Sequence, residues 1–575
     1  MTARALTFAL AASAALALAL GGWLRATGHA HAGELAPRPT ADVGAPVRGA
    51  PQTAAAGAGA PQTAAAGAGA PQTAAGAGAP QTAAAGAGAP QAGSLWSSPA
   101  TLEACAATGG PRVVFPSDSP SHATGPGALV WSAGAGCAGG EGARVARVGP
   151  GDLPGPGAAP RTSAGRPLAP RGTLLATGAP HGQILIAGAA GPDAGAGSHV
   201  REAAGDARGA AGDGALVVQG AAGGPFAALA LGNRAQQPLA LATAYLGDVT
   251  LATGASTGSG AAGAGAGGAS TGSGAGAAST GSGGAGAGAA GRRALRVYEE
   301  RFFQRAFART THTALAAGGR ARPRAVTLAM DFRGEALLVW SAAGGIYARL
   351  ITTKGGPPPA AQRLAPAHAH VHLAAVLSDD RRGIVAFSEQ LGEETAVYVD
   401  RSALGVRFGA PQLLERFRDP HALSAPAASP TLVRLSSESV VLAWAGAAAG
   451  EWVVRVAPVH LDGVGARTTI AAQHNDALLA ALAPGPAGEA MLLWSQPLAG
   501  AAGAGEEARQ QLLAARGFPA RPRRVPFAGP EQVAAPGPVQ HAALAFDPGS
   551  DRAIAAWQGE AGRIEYAVRA AQPRA

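Results

Sequence analysis

Gly334-Glu335-Ala336-Leu337-Leu338-Val339-Trp340 returns as Gly488-Glu489-Ala490-Met491-Leu492-Leu493-Trp494. Looser copies run from Asp551 to Trp557 (DRAIAAW), Arg381 to Phe387 (RRGIVAF) and Glu438 to Trp444 (ESVVLAW). Each is a short apolar run ending in a large aromatic, which reads as a buried strand. Recurrence at roughly 45 to 65 residues matches a repeat architecture whose unit is a four-stranded propeller blade.

Between these runs and the strands before them lie turn-forming stretches: 331–334, 379–383, 484–488 and 547–550 (DFRG, DDRRG, PGPAG, DPGS). They suit hairpins, because Asp, Pro and Gly supply turn hydrogen bonds and turn dihedrals. First strands are expected at 326–330, 371–377, 431–435, 477–482 and 541–546. Third strands are expected at 346–351, 396–400, 452–457, 511–515 and 564–569, and weaker fourth strands at 361–364, 412–414, 467–471 and 531–534. Residues 111–324 divide less regularly, so the count favours eight blades with seven as the alternative.

The last repeat lacks a fourth strand before the chain stops at Ala575. Trp96, Pro99 and Leu102 share the spacing of Phe408, Pro411 and Leu414 and of Phe527, Pro530 and Val533. Ser94 to Ala104 is therefore expected to pair with Ile564 to Arg569 and close the ring, removing an open sheet edge.

Ahead of the folded part, Arg4 and the apolar run Leu6 to Leu20 read as a signal peptide, with cleavage after Ala32 in Ala30-His31-Ala32. Trp23 and Leu24 extend the apolar run, so an uncleaved anchor stays open. Either way the body is expected to be secreted or held at the cell surface. Residues 33–93 repeat the decapeptide PQTAAAGAGA and bury too little apolar surface to fold, so they read as a disordered linker. The folded domain is expected over 94–575, interrupted at 254–291 by a disordered Gly, Ala, Ser and Thr insertion.

The formal net charge is +9, yet Lys354 is the only lysine and the arginines are spread along the chain. A generic surface fits better than a nucleic-acid patch. Cys105 and Cys137 are the only cysteines, and in an exported chain an even pair reads as one disulfide. In the loop-entropy account it contributes about 3 to 4 kcal/mol.

Three features are candidates for chemistry. His368, His370 and His372 alternate, which on a regular strand puts three imidazoles on one face, a donor set suited to Zn or Cu; the other reading is a polar strand entrance. Third strands repeat an apolar or aromatic residue three before an arginine: Tyr298/Arg301, Ile346/Arg349, Tyr398/Arg401, Trp452/Arg455, Leu513/Arg516 and Tyr566/Arg569. Such a ring suits an anionic ligand, or else ties the scaffold together. Ser256 and Ser270 sit in G-x-S-x-G, but in low-complexity surroundings that cannot hold a strained nucleophile turn. No catalytic pair is identified by spacing.

The repeats, GEALLVW followed by IYARLI, resemble uncharacterised exported β-propeller proteins of high-GC soil bacteria, over roughly Ser94 to the C-terminus. The resemblance implies a propeller and export, and carries no established activity. Sialidase-type propellers are a more distant likeness. Their S-x-D-x-G-x-x-W box is not intact here: Asp547 and Gly549 keep their spacing, but Ala545 and Arg552 replace Ser and Trp.

Two functions follow from this reading. One is a monomeric, non-enzymatic binding or scaffold module for a protein or carbohydrate ligand. The other is a sialidase-like glycoside hydrolase or lyase whose catalytic residues are dispersed over the blades. Converging carboxylates with Arg or Tyr at a channel mouth would mark the enzyme.

Overall fold

The computed structural model describes residues 95–571, apart from scattered positions and the stretches 191–214, 230–236, 255–294, 301–322, 353–358, 403–406, 419–428, 471–476, 499–509 and 519–524. The expected signal segment and linker lie outside the described residues, as do Arg301 and the 254–291 insertion beyond Gly254.

Among the described residues the regular structure is almost wholly β, with one 3-10 turn at Glu560–Gly562. No helix among them is long and apolar enough to cross a membrane. Among the described residues eight antiparallel sheets of three or four strands follow one another, numbered here by first strand, beside a two-stranded ribbon of Ser117–Ser119 and His122–Ala123. Sheet I is Ala107–Val114, Gly127–Ala133 and Gly142–Val148; sheet II is Arg171–Ala179, Gln183–Ala189, Ala215–Ala221 and Phe226–Leu229. Sheet III is Gln237–Thr243, Val249–Gly254 and Arg296–Glu300; sheet IV is Ala325–Met330, Ala336–Ala342, Gly345–Ile351 and Gln362–Ala365. Sheet V is Ala369–Leu377, Gly383–Leu391, Glu394–Arg401 and Gln412–Arg418; sheet VI is Thr431–Arg434, Val440–Ala448, Glu451–Val459 and Thr468–Thr469. Sheet VII is Leu478–Pro484, Ala490–Pro497, Gln510–Gly517 and Glu531–Gly537; sheet VIII is Gln540–Asp547, Arg552–Gln558, Ile564–Arg569 and, from the start of the folded chain, Ala100–Glu103.

The second strands are buried along most of their length because both faces are covered. In Ala336–Ala342 every residue is buried. Ala336, Leu338 and Trp340 pack toward sheet III, whereas Leu337 and Val339 pack toward sheet V. A period-2 strand between two sheets must be apolar throughout, which explains the unbroken runs. The terminal aromatic always faces the preceding sheet: Phe387 toward IV, Trp444 toward V, Trp494 toward VI and Trp557 toward VII. Trp131 of sheet I packs with Ile554, Ala556 and Tyr566 of sheet VIII. Cross-strand stacking adds to this, with Trp340 on Tyr347 at 5.5 Å and Phe387 on Tyr398 at 5.0 Å.

The start of the folded chain pairs with the last third strand, in the register Ala100↔Tyr566, Thr101↔Glu565 and Glu103↔Ile564. Ser97 N donates to Val568 O at 2.8 Å and Ala570 N donates to Leu95 O at 2.9 Å, which carries the contact back to the bridge between Trp96 and Arg569.

The outer strands depart most from expectation. In sheet V the fourth strand runs on to Arg418, and in sheet VI it shrinks to Thr468–Thr469. Sheet I has no fourth strand among the described residues. Its edge is met by an irregular segment, with Val145 and Ala158 exchanging hydrogen bonds of 2.8 and 3.0 Å and Ala143 N donating to Pro170 O at 2.8 Å. Pro154, Pro156 and Pro160 lack the N–H that a ladder needs.

Candidate functional site: the end where the first strands begin

First strands begin, and second strands finish, at one end of the sheets. There six of the eight first strands are bulged: between Ala107 and Arg112, Arg171 and Leu175, Pro238 and Ala240, Ala369 and His372, Leu479 and Ala481, and Gln540 and Ala543. At three of these bulges the backbone enters the left-handed region, at Gly172 (φ 73°), His370 (φ 49°) and His541 (φ 47°). Glycine adopts this freely; a histidine does so at a cost of order 1 kcal/mol or more.

His541 of sheet VIII lies against the first strand of sheet I. A Cβ on Gly110 would stand 2.2 Å from the His541 Cβ, so only glycine allows this approach. Arg112 is two residues further along that strand. Burial, and then the Arg112 charge, lower the His541 pKa below the usual imidazole value. Burial also lowers that of Arg112. The pair therefore presents a neutral imidazole, with one donor and one acceptor, beside a guanidinium.

The three candidate metal histidines occupy different settings. His368 precedes the first strand of sheet V, and its Nδ1 lies 2.9 Å from Oε2 of the buried Glu389. His370 is exposed in the bulge, and His372 is half-buried opposite Ser388. Because the bulge inserts an extra residue, Ala369 and His372 oppose Gln390 and Ser388, two residues that share a face. The alternation expected to align His370 with His372 is thus interrupted.

Four of the third-strand arginines are engaged in bonds within the fold. Arg569, 1% exposed, gives two 2.7 Å bonds to Glu531 of sheet VII, which also accepts Trp96 Nε1 at 3.0 Å. Glu415 of sheet V accepts Trp444 Nε1 at 2.7 Å and lies 3.5 Å from Arg455, both in sheet VI. Arg516 pairs with Glu489, and Arg401 donates to His460 O at 3.2 Å. Arg349 is pushed down in pKa by burial.

The buried acids with displaced pKa values lie at the opposite end, Asp331 in a hairpin turn and Asp400 near the end of the third strand of sheet V. Asp331 accepts the N–H groups of Arg333 and Glu335 at 2.9 and 2.8 Å. Burial, helped by the Glu335 and Asp379 charges, pushes it up to about 6. Asp400 is likewise pushed up to about 6 by burial, against a 2.7 Å bond from Arg401 N. Arg381 bonds Glu335 at 2.5 and 2.6 Å, and Arg434 bonds Asp379 at 2.8 Å, tying turns of sheets IV, V and VI together.

Cys105 and Cys137 are joined by a disulfide, Cα to Cα 5.4 Å. It links the segment after Glu103 to the turn between the second and third strands of sheet I, at the end where the first strands begin.

Sequence reasoning passed over the serine that follows four of the six aromatics: Ser132, Ser341, Ser388 and Ser495, buried in four sheets. Ser341 Oγ accepts Ala325 N at 3.1 Å, Ser132 Oγ meets Thr108 Oγ1 at 3.0 Å, and in sheet VIII Gln558 Nε2 donates to Ala107 O of sheet I at 3.0 Å. The signal was in the quoted runs themselves, one position past their end.

No family model matches the chain, and no curated protein is similar to it. Among solved structures it is similar to a protein of unknown function from Dyadobacter fermentans (10% identity, 63% of this chain and 98% of that one, TM-score 0.31). It is also similar to Penicillium chrysogenum α-L-arabinanase complexed with arabinobiose (11%, 41% and 89%, 0.25) and to Trypanosoma rangeli sialidase in complex with sialic acid (10%, 60% and 55%, 0.28). At these values the likenesses pass no activity to this chain.

Proposed function

We propose that the protein is an exported, eight-bladed propeller that acts as a binding or scaffold module for a protein or carbohydrate ligand, held at the end where the first strands begin. Ring closure is supported by Trp131, which meets sheet VIII as every later aromatic meets its preceding sheet, and by the strand Ala100–Glu103 that completes sheet VIII. Signal-directed export places the protein outside the cell, secreted or at the surface.

One observation carries the ligand reading: His541 is held at positive φ against Gly110 and beside the desolvated Arg112. Apolar packing needs neither the strained backbone nor the buried charge, and such departures concentrate at sites of function. A neutral imidazole next to a guanidinium suits a ligand rich in hydroxyl and carboxylate groups.

The test is capture on immobilised acidic and neutral glycans and on secreted proteins, using the mature protein and the variant Arg112→Gln/His541→Ala. The reading expects a captured ligand whose affinity falls at least tenfold in the variant, with the melting temperature held. Undiminished capture by the variant, or cleavage of a glycoside by the wild type, would contradict it.

A further inference from the structure

We infer that Glu103, Cys105 and Cys137 form a binding site for a thiophilic divalent cation, of the zinc or cadmium kind, once the disulfide is reduced. The two sulfurs and a Glu103 carboxylate oxygen all lie within 4.8 Å of one another. Thiolates select such ions, and two thiolates with one carboxylate leave one tetrahedral position for water.

The backbone of Glu103 and of the Cys137 turn is held by bonds other than the one between the sulfurs. Glu103 is paired to Ile564 of sheet VIII. The Cys137 turn is fixed by Cys137 N donating to Gly134 O at 3.1 Å, Gly140 N to Cys137 O at 2.9 Å, and Gly134 N to Ala106 O at 3.1 Å. Arg144, 3% exposed, donates to Ala138 O at 3.0 Å and to Gly140 O. It therefore brings a positive charge into the turn. Two thiolates, one carboxylate, one guanidinium and a divalent cation sum to zero, so the burial of Cys137 is no obstacle.

Metal–sulfur bonds of about 2.3 Å set two tetrahedral ligands about 3.8 Å apart, so each sulfur withdraws by roughly 1 Å through side-chain rotation. A small dithiol supplies two electrons and two protons to the Cys105–Cys137 bond and leaves as its own disulfide. The cation then displaces both thiol protons. Either staple, covalent or metal, ties the closing strand to sheet I.

The experiment reduces the full-length protein with dithiothreitol, removes the dithiol without air, and titrates Cd²⁺ while following thiolate-to-cadmium ultraviolet absorption. One Cd²⁺ per reduced chain and none per oxidised chain is expected. Cys137→Ser should abolish the absorption, and Glu103→Gln, which keeps both cysteines, should weaken binding at least tenfold. Absence of the band in reduced wild type, or Glu103→Gln binding Cd²⁺ as tightly as wild type, would overturn the assignment.

Discussion

Glu531 shows what single residues contribute here. It neutralises Arg569 across the boundary between sheets VII and VIII and accepts the Trp96 indole. Removing one member of a buried ion pair strands the other, at about 3 to 5 kcal/mol. Glu531→Gln should therefore lower the unfolding free energy in urea by about that much, and Glu531→Leu/Arg569→Met should recover part of it. A single-variant loss below about 1 kcal/mol would show the pair to be idle. Asp400 makes the opposite point. Its carboxyl is raised to about 6 from an ordinary 3.8, so the folded state favours the protonated form. Its contribution is intact below the unfolded value and declines as pH rises from about 4 to about 6. Asp400→Asn should melt higher than wild type at pH 7 and not at pH 4; an equal difference at both would refute the assignment.

At the scale of the strand, the bulges decide where side chains point. His370 is exposed and left-handed, so His370→Gly should raise the urea midpoint, relieving about 1 kcal/mol of backbone strain. A lower midpoint would mean that the imidazole stabilises the bulge. The second strands were legible because burial on both faces demands an unbroken apolar run, and each run ends on the aromatic that meets the preceding sheet. The pairing of the folded chain's start with the last third strand was legible because Trp96, Pro99 and Leu102 repeat the pattern of Phe408, Pro411 and Leu414. The histidine face was not: period-2 reading assumes a regular pleat, and nothing in His368-Ala369-His370 announces that a non-glycine residue turns left-handed. Nor was the Arg112–His541 contact, which joins residues more than four hundred positions apart through the meeting of the first and last sheets. The third-strand arginines were visible as a repeat, but their partners, Glu415, Glu489 and Glu531, lie on outer strands or at strand starts without a common spacing.

For the molecule as a whole, eight buried clusters lie between successive sheets, the eighth joining sheet VIII to sheet I. In the proposed ring these are the interfaces, and the last sheet is completed by the start of the folded chain. The disulfide then fastens that beginning to the first sheet, and its reduction should lower the melting temperature unless Cd²⁺ or Zn²⁺ is added back. The most direct measurement compares thermal unfolding of the chain lacking residues 1–93 with that of the chain lacking 1–104. The first should melt with the mature protein. The second loses the strand Ala100–Glu103, the buried Trp96 and the Glu531–Trp96 bond, and should melt at least about 5 °C lower. Equal melting of the two would contradict ring closure.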